Sequence, residues 1–217
     1  DETCKDPAKS GALFSRQIVV TTKVMSAYSV AVGDFNGDGR IDLASASSGD
    51  NKIAWYNNTD GKGTFGPQIV VTTKANKALC VVVGDFNDDG RLDLASASEG
   101  DNKIAWYKNT DGKGTFGPQI VVTTITSTAR SVAVGDFNGD GWLDLVASNF
   151  ASGGEVTIAW YKNTDGKGTF GQQIVVTSTT SAAVSVAVGD FNGDGWLDLA
   201  AAFPMDTNDI AWYKNTD

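Results

Sequence analysis

Short apolar segments alternate with turns rich in Gly and Asp along almost the whole chain. The first clear segments, 29–34, 42–47, 52–57 and 65–73, are rich in Val, Ile, Ala, Ser and Thr. Segments of this length and composition, bounded by turn residues, are typical of β-strands. They predict four strands joined by short loops, which we name A, B, C and D in chain order.

The four-strand unit repeats. The repeats lie near 28–73, 79–124, 130–178 and 184–217. A further D strand is predicted at 14–22, before the first unit, and the last unit contains only A, B and C. Residues 1–11 fall outside the pattern and are interpreted as an N-terminal tail, and residues 12–217 as a single domain.

This order predicts an all-β fold, a β-propeller of four four-stranded blades. The N-terminal D strand would complete the last blade and close the ring, which protects the strand edges. The alternative is half of a larger propeller formed by dimerisation. Strand A carries small apolar residues, which suit a crowded axis. A Trp recurs in strand C, and we expect it to pack between blades. These residues are Trp55, Trp106, Trp160 and Trp212.

An acidic loop of nine residues joins strand A to strand B in every unit. In the first unit, residues 34–42 read DFNGDGRID. Side chains that carry oxygen stand at positions 1, 3, 5 and 9, and the Gly at position 6 permits a tight turn with positive φ. Calcium prefers six to eight oxygen ligands, which such a loop can fold around one point. The loop therefore predicts a calcium site.

Further copies of the loop begin at Asp85, Asp136 and Asp190, at spacings of 51, 51 and 54 residues. Four copies predict about four Ca²⁺ ions, with position 7 lending only its carbonyl. The predicted ligands are Asp34, Asn36, Asp38, Arg40, Asp42, Asp85, Asn87, Asp89, Arg91, Asp93, Asp136, Asn138, Asp140, Trp142, Asp144, Asp190, Asn192, Asp194, Trp196 and Asp198. An EF-hand is excluded because position 12 lacks Glu and the flanking segments are not helical.

Composition narrows the function. The net charge of −9 argues against nucleic acid and anionic membranes as partners. No apolar run is long enough to insert into a membrane. The chain has no His, which removes the Ser-His-Asp, Cys-His and HExxH types of catalysis. We therefore expect a protein that is not an enzyme, and a polysaccharide-acting enzyme is the least favoured alternative.

The unit resembles the FG-GAP/VCBS repeat. The resemblance rests on the segment VGDFNGDG at 32–39 with Leu43, and on TDGKGTFG at 59–66, and it extends over about residues 12–217. That repeat builds the calcium-bearing propellers of integrin α-chains and of a fungal seven-bladed lectin. The resemblance implies a propeller with Ca²⁺ in the loops between strands A and B, and a secreted, extracellular binding role. Its departure is the blade count, because family propellers commonly have seven blades.

The predicted strand order places the A–B and C–D loops on one rim and the B–C and D–A loops on the other. The first rim is nearly identical in all units, whereas the second varies. Variable loops on a rigid scaffold often bind ligands. The apolar residues of the second rim form a candidate ligand surface: Met25, Tyr28, Phe150, Phe203 and Met205. Neutral variation in soluble loops is the alternative.

Two cysteines, Cys4 and Cys80, are candidates for a disulfide that would join the N-terminus to the second unit. Two unpaired thiols are the alternative. A disulfide and calcium at extracellular concentrations would both fit an exported protein. The favoured function is a calcium-stabilised module that binds an extracellular glycan, as a lectin does. The alternatives are protein–protein adhesion and a structural scaffold. The alternative fold, half of a larger propeller, would require a homodimer.

Overall fold

The structure is a computed structural model. It describes residues 16–124, 128–150, 156–179, 183–204 and 209–216, without the side chains at 150, 156, 157 and 179. Every regular secondary-structure element in these residues is a β-strand. Within the same residues, no helix is long and apolar enough to cross a membrane.

In the part of the chain that the structure describes, fifteen strands form four separate antiparallel sheets, which we call blades 1 to 4. Blade 1 contains β1 (Ala27–Gly33), β2 (Asp42–Ser47), β3 (Lys52–Tyr56) and β4 (Ile69–Thr72). Blade 2 contains β5 (Ala78–Gly84), β6 (Asp93–Ser98), β7 (Lys103–Tyr107) and β8 (Ile120–Thr123). Blade 3 contains β9 (Ala129–Gly135), β10 (Asp144–Phe150), β11 (Val156–Tyr161) and β12 (Ile174–Thr179). Blade 4 contains β13 (Ser185–Gly189), β14 (Asp198–Phe203) and β15 (Asp209–Tyr213).

Each strand pairs with its sequence neighbour, so every blade is a meander. The register repeats as well. Gly33 pairs with Asp42 in blade 1, and Gly84 pairs with Asp93 in blade 2. The strand pattern predicted from the sequence is therefore confirmed: an all-β chain of four repeated sheets, consistent with the blades of a propeller.

The first strands of the four blades line one space of about 440 Å³ that is open to solvent, which we call the common channel. Its wall is made by Val and Ala side chains of β1, β5, β9 and β13. Small residues are needed there because four strands approach one another around a single space. The prediction that the A strands lie innermost is consistent with this arrangement.

Neighbouring blades pack through large side chains set against glycines. The indole of Trp55 lies over Gly114 of blade 2, where any Cβ would overlap the ring. Phe35 meets Phe116 edge to face, with ring centroids 6.0 Å apart. These contacts recur between blades 2 and 3, where Trp106 lies against the glycine of the next blade. The predicted role of these Trp residues in packing between blades is confirmed for Trp55 and Trp106.

The predicted closing strand at 14–22 is not formed in the structure. Residues 16–22 contain no strand, and residues 14 and 15 lie outside the described residues. Blade 4 accordingly has three strands, in the order β13, β14 and β15. A strand needs a neighbour to exchange backbone hydrogen bonds. Ile18 and Val19 are exposed rather than set beside β15. The hydrogen-bonded closure within one chain is therefore wrong for the residues described.

Candidate functional site

The loops between the first and second strands of each blade share a rim with the turns that follow the third strands. Arg40 donates from Nη1 to the carbonyl of Thr59 at 2.7 Å, and Arg91 donates likewise to Thr110 at 2.9 Å. We call this the acidic rim. The opposite, variable rim is held by bonds such as the 2.9 Å bond from Gly49 N–H to the carbonyl of Met25. The predicted division of the loops between two rims is thus observed.

The carboxylate at position 1 organises the acidic loop of blade 1. Oδ1 of Asp34 accepts the N–H groups of Gly37 at 2.8 Å and Asp38 at 3.1 Å. Its Oδ2 accepts the N–H of Gly39 at 2.7 Å. Gly39 has a φ of +78°, a left-handed conformation that favours Gly. The turn therefore folds around the position 1 side chain, as the sequence predicted.

Positions 3 and 5 continue this pattern. Oδ1 of Asn36 accepts the N–H of Asp38, and Oδ1 of Asp38 accepts the N–H of Arg40, both at 3.0 Å. The same bonds occur in blades 3 and 4. Backbone amides therefore hold the side chains of the predicted ligands in one tight turn.

The position 9 carboxylates are fully buried, unlike those at positions 1 and 5. They are Asp42, Asp93, Asp144 and Asp198. In blade 2, Asp93 accepts the N–H of Asn109 at 2.7 Å and that of Phe86 at 3.2 Å. Burial raises the pKa of Asp93 to about 7, and the carboxylates of Asp89 and Asp85 add to the rise. Burial also raises the pKa of Asp42 and Asp144.

A lysine contacts the position 5 carboxylate in three of the four loops. Lys108 lies 3.1 Å from Asp89 in blade 2. The equivalent pairs are Lys162 with Asp140 at 3.1 Å and Lys214 with Asp194 at 3.2 Å. In blade 1, Asn57 replaces this lysine. The four acidic loops are therefore not equivalent, a difference that reasoning from the repeat missed although Asn57 was visible in the sequence.

Among the described residues, no three His, Cys, Asp or Glu side chains converge as a metal-binding group. The acidic loops offer three Asp oxygens together with an Asn oxygen and a main-chain carbonyl. This is an all-oxygen donor set of the kind that suits a hard cation. The donors thus fit calcium in chemical type, while several of the carboxylate oxygens accept backbone N–H groups.

An asparagine clamp joins the acidic loops of blades 1, 2 and 3 to the following blade. The Nδ2 of Asn109 in blade 2 donates to the carbonyl of Phe35 in blade 1 at 2.8 Å. Asn163 donates likewise to Phe86 at 2.9 Å, and Asn215 to Phe137 at 2.7 Å. Sequence analysis assigned no role to these residues. Their signal was the Asn-Thr-Asp triplet that follows every third strand.

A cleft of about 280 Å³ opens on the acidic rim between blades 1 and 2. Asp34 and Phe35 line it from blade 1, and Arg91, Asn109 and Gly112 line it from blade 2. It therefore brings a carboxylate and a guanidinium to the same small space.

Tryptophan replaces arginine at position 7 in blades 3 and 4, and each ring lies close to a glycine. Trp142 covers Gly166 of its own blade. Trp196 covers Gly139 of blade 3 and so fills space between those two blades. Position 7 therefore distinguishes one junction from the next.

The candidate ligand residues of the variable rim differ in their exposure and position. Met25 and Tyr28 are exposed, as predicted for a binding surface. Phe203 is buried, because it ends β14 and packs into the core between blades 3 and 4, so its placement on an exposed surface was wrong. Phe150 ends β10 rather than lying in a loop, and its side chain is outside the described residues, as is Met205.

The predicted disulfide is not present at Cys80, which is a free thiol. Its Sγ donates to the carbonyl of Val132 at 3.6 Å, and burial raises the pKa of the thiol. Cys80 lies in β5 at the junction with blade 3 and serves there as a small packing residue. Cys4 lies outside the described residues.

The similarity of this chain to known proteins lies in its repeat. No curated protein sequence matches the chain. Among solved structures, the crystal structure of the exotype rhamnogalacturonan lyase YesX is similar, with a TM-score of 0.49 and 15% identity. The similarity covers 82% of this chain but only 39% of the lyase. The model of the FG-GAP-like repeat matches residues 34–96, 85–147 and 148–201, which together are most of the chain. The chain therefore belongs to the FG-GAP-like repeat family.

Proposed function

We propose that the chain is a calcium-stabilised extracellular module that binds carbohydrate at the acidic rim. The observation that carries this proposal is the cleft between blades 1 and 2, where Asp34, Arg91 and Asn109 surround a space of about 280 Å³. Carboxylate, guanidinium and amide groups provide the donors and acceptors that sugar hydroxyls require. The aromatic ring of Phe35 is buried and supports the cleft from below.

Calcium would be held by the acidic loops, and its charge would offset the repulsion among their carboxylates. In blade 2 the loop residues that would bind it are Asp85, Asn87, Asp89 and Asp93, with the carbonyl of Arg91. The full burial of Asp93 near the carboxylates of Asp85 and Asp89 supports this role, because a cation there would offset charges that burial destabilises. The proposed ions stabilise the fold, and the cleft binds the sugar.

The scaffold that we propose for this function is a β-propeller ring. The common channel and the repeated contacts between blades support it. We propose binding rather than catalysis, since the chain has no His and its acidic loops are four copies of one turn.

Protein–protein adhesion is the second candidate. It is favoured by the exposed side chains of Met25 and Tyr28 on the variable rim. A contiguous apolar patch is typical of a surface that binds a protein, and these two side chains would form part of such a patch. The two candidates use opposite rims, so variants of each rim separate them.

A glycan array tests the carbohydrate proposal. The chain is applied in calcium and again after EGTA. The Arg91→Ala variant should lose the glycan signal, because its guanidinium lines the cleft. Arg40→Ala is the matched control: it also loses a bond to a turn carbonyl, but Arg40 does not line the cleft between blades 1 and 2. If a folded, calcium-loaded chain binds no glycan, or if both variants bind as well as the parent, carbohydrate binding at this cleft is refuted.

Thermal melting tests the calcium proposal separately. An ion present at a hundred times its Kd stabilises a fold by about 2.7 kcal/mol. For a chain of this size, that corresponds to a rise in Tm of about 5 to 10 °C. Because the acidic loops would hold several ions, we expect EGTA to lower the Tm by at least this amount and excess calcium to restore it. An unchanged melting curve would contradict stabilisation by calcium.

A further inference from the structure

Three junctions between blades use one set of contacts. The asparagine clamp crosses each junction to the carbonyl of a Phe in the preceding blade. A leucine of the following blade lies on a glycine of the preceding one, as Leu92 does on Gly33. The first two junctions add a Trp of the preceding blade that lies over a glycine of the following one, as Trp55 does over Gly114.

The two ends of the chain's blade array carry the halves of a fourth such junction. Blade 1 presents Asn58, whose Nδ2 donates to the carbonyl of Ile41 in its own blade at 3.1 Å. Blade 4 presents Phe191, the counterpart of Phe35, Phe86 and Phe137. Phe191 is 51% exposed, whereas Phe35 and Phe86 are fully buried. The donor and the acceptor of a fourth clamp are therefore present but apart.

The apolar halves are present as well. Ile41 of blade 1 occupies the position of Leu92 and is 57% exposed, while Gly189 of blade 4 is touched by no leucine or isoleucine. Trp212 of blade 4 is 52% exposed, and Gly63 of blade 1 has open space where a Trp would lie. Each unmatched group at one end thus has its partner at the other.

We propose that the blade 4 face of one copy binds the blade 1 face of a second copy, head to tail, with the contacts of the internal junctions. The faces fit a second copy because each internal junction already shows how they meet. Within a single copy the two faces do not cover each other, as the exposed apolar side chains on both of them show. In such a pair, the blade 4 face of each copy would meet the blade 1 face of the other.

The same contact gives a place to residues 16–22. This segment contains the Ile-Val-Val-Thr sequence of the fourth strands but forms no strand, and Ile18 and Val19 are exposed. It directly precedes blade 1, as the fourth strand of each complete blade directly precedes the next blade. In a head-to-tail pair it would therefore lie beside β15 of the other copy, whose Ile210 is exposed.

Two single variants and their mixture test this proposal. Ile41→Glu charges the blade 1 face, and Trp212→Glu charges the blade 4 face. Both side chains are more than half exposed in one copy, so each variant should fold, which circular dichroism and melting would verify. Lys62→Glu on an exposed turn is the control for added negative charge. Mass is measured by sedimentation over a wide range of micromolar concentrations.

We expect the parent chain and the control to sediment at twice the 22.7 kDa mass of one chain. Each single variant should sediment at the mass of one chain. A 1:1 mixture of the two variants should recover a pair, because one copy keeps an intact blade 4 face and the other an intact blade 1 face. Closure within one chain predicts a single-chain mass for the parent, and association through another surface predicts paired single variants. Either result would overturn the proposal.

Discussion

The junction between blades 2 and 3 and the exposed face of blade 4 contain equivalent residues in opposite environments. Trp106 at the junction is 3% exposed, whereas Trp212 at the face is 52% exposed. Both lie at the same position of a third strand, and both pack edge to face against the Phe of their own blade. The difference between them is the presence of a following blade.

This comparison teaches that burial in the repeat is a property of the junction rather than of the residue. Val81 in β5 is 2% exposed and Val30 in β1 is 70% exposed, although the two side chains are equivalent. A single blade cannot bury its large side chains alone, which is the general condition of repeat proteins. Stability should therefore differ between equivalent substitutions at internal and end positions.

The largest contrast is expected for the Trp pair. Trp106→Ala should lower the free energy of unfolding by about 3–5 kcal/mol, because it leaves a cavity between two blades. Trp212→Ala should cost less than about 1 kcal/mol when measured in the Ile41→Glu background, where the faces of two copies are not in contact. Urea denaturation of both variants measures the difference. Equal losses would contradict the distinction between junction and face.

A smaller contrast is expected for the clamp. Asn109→Ala removes the donor to the carbonyl of Phe35 in the preceding blade, and should cost about 1–3 kcal/mol because a buried carbonyl loses its partner. Asn58→Ala removes a bond within blade 1 only, so its cost should be smaller by about 1 kcal/mol. Urea denaturation in the same Ile41→Glu background compares the two. A larger loss for Asn58 would show that the clamp does not stabilise the junction.

The smallest effect concerns the acidic loops of blades 1 and 2. Lys108→Asn copies Asn57 and removes an ammonium that lies 3.1 Å from Asp89. If calcium binds there, its affinity should rise by roughly fivefold, because the removed like charge is worth about 1 kcal/mol in water. Calorimetric titration measures this. Lys113→Asn in an exposed turn of the same blade is the control, and an equal gain there would point to a general effect of net charge.

Local structure followed closely from the sequence. The second strand of blade 1 was expected at 42–47 and is observed as Asp42–Ser47, because small apolar residues between a buried Asp and a polar turn leave little choice of boundary. Features that depend on a partner strand were harder to predict. The strand expected at 14–22 has the right composition, but composition does not reveal whether a neighbouring strand is in place.

The acidic loops were found from spacing, which records the local turn. Contacts across space left weaker signals. Phe203 interrupts the repeat and was therefore placed on the variable rim, yet it is buried because β14 extends to include it. The lysine on Asp89 and the clamp of Asn109 join residues from separate segments, so only the recurrence of their types in each unit hinted at them.

The clamp has a consequence for how the molecule loses structure. The N–H of Asn109 is held by Asp93 of its own blade, and its side chain holds the carbonyl of Phe35 in the preceding one. A change in one loop therefore directly affects only the adjacent unit, as in a linear array with nearest-neighbour coupling. In a single copy, unfolding should begin as fraying at blades 1 and 4, whose outer faces are exposed, and move inward one unit at a time, so that amide exchange slows toward blades 2 and 3.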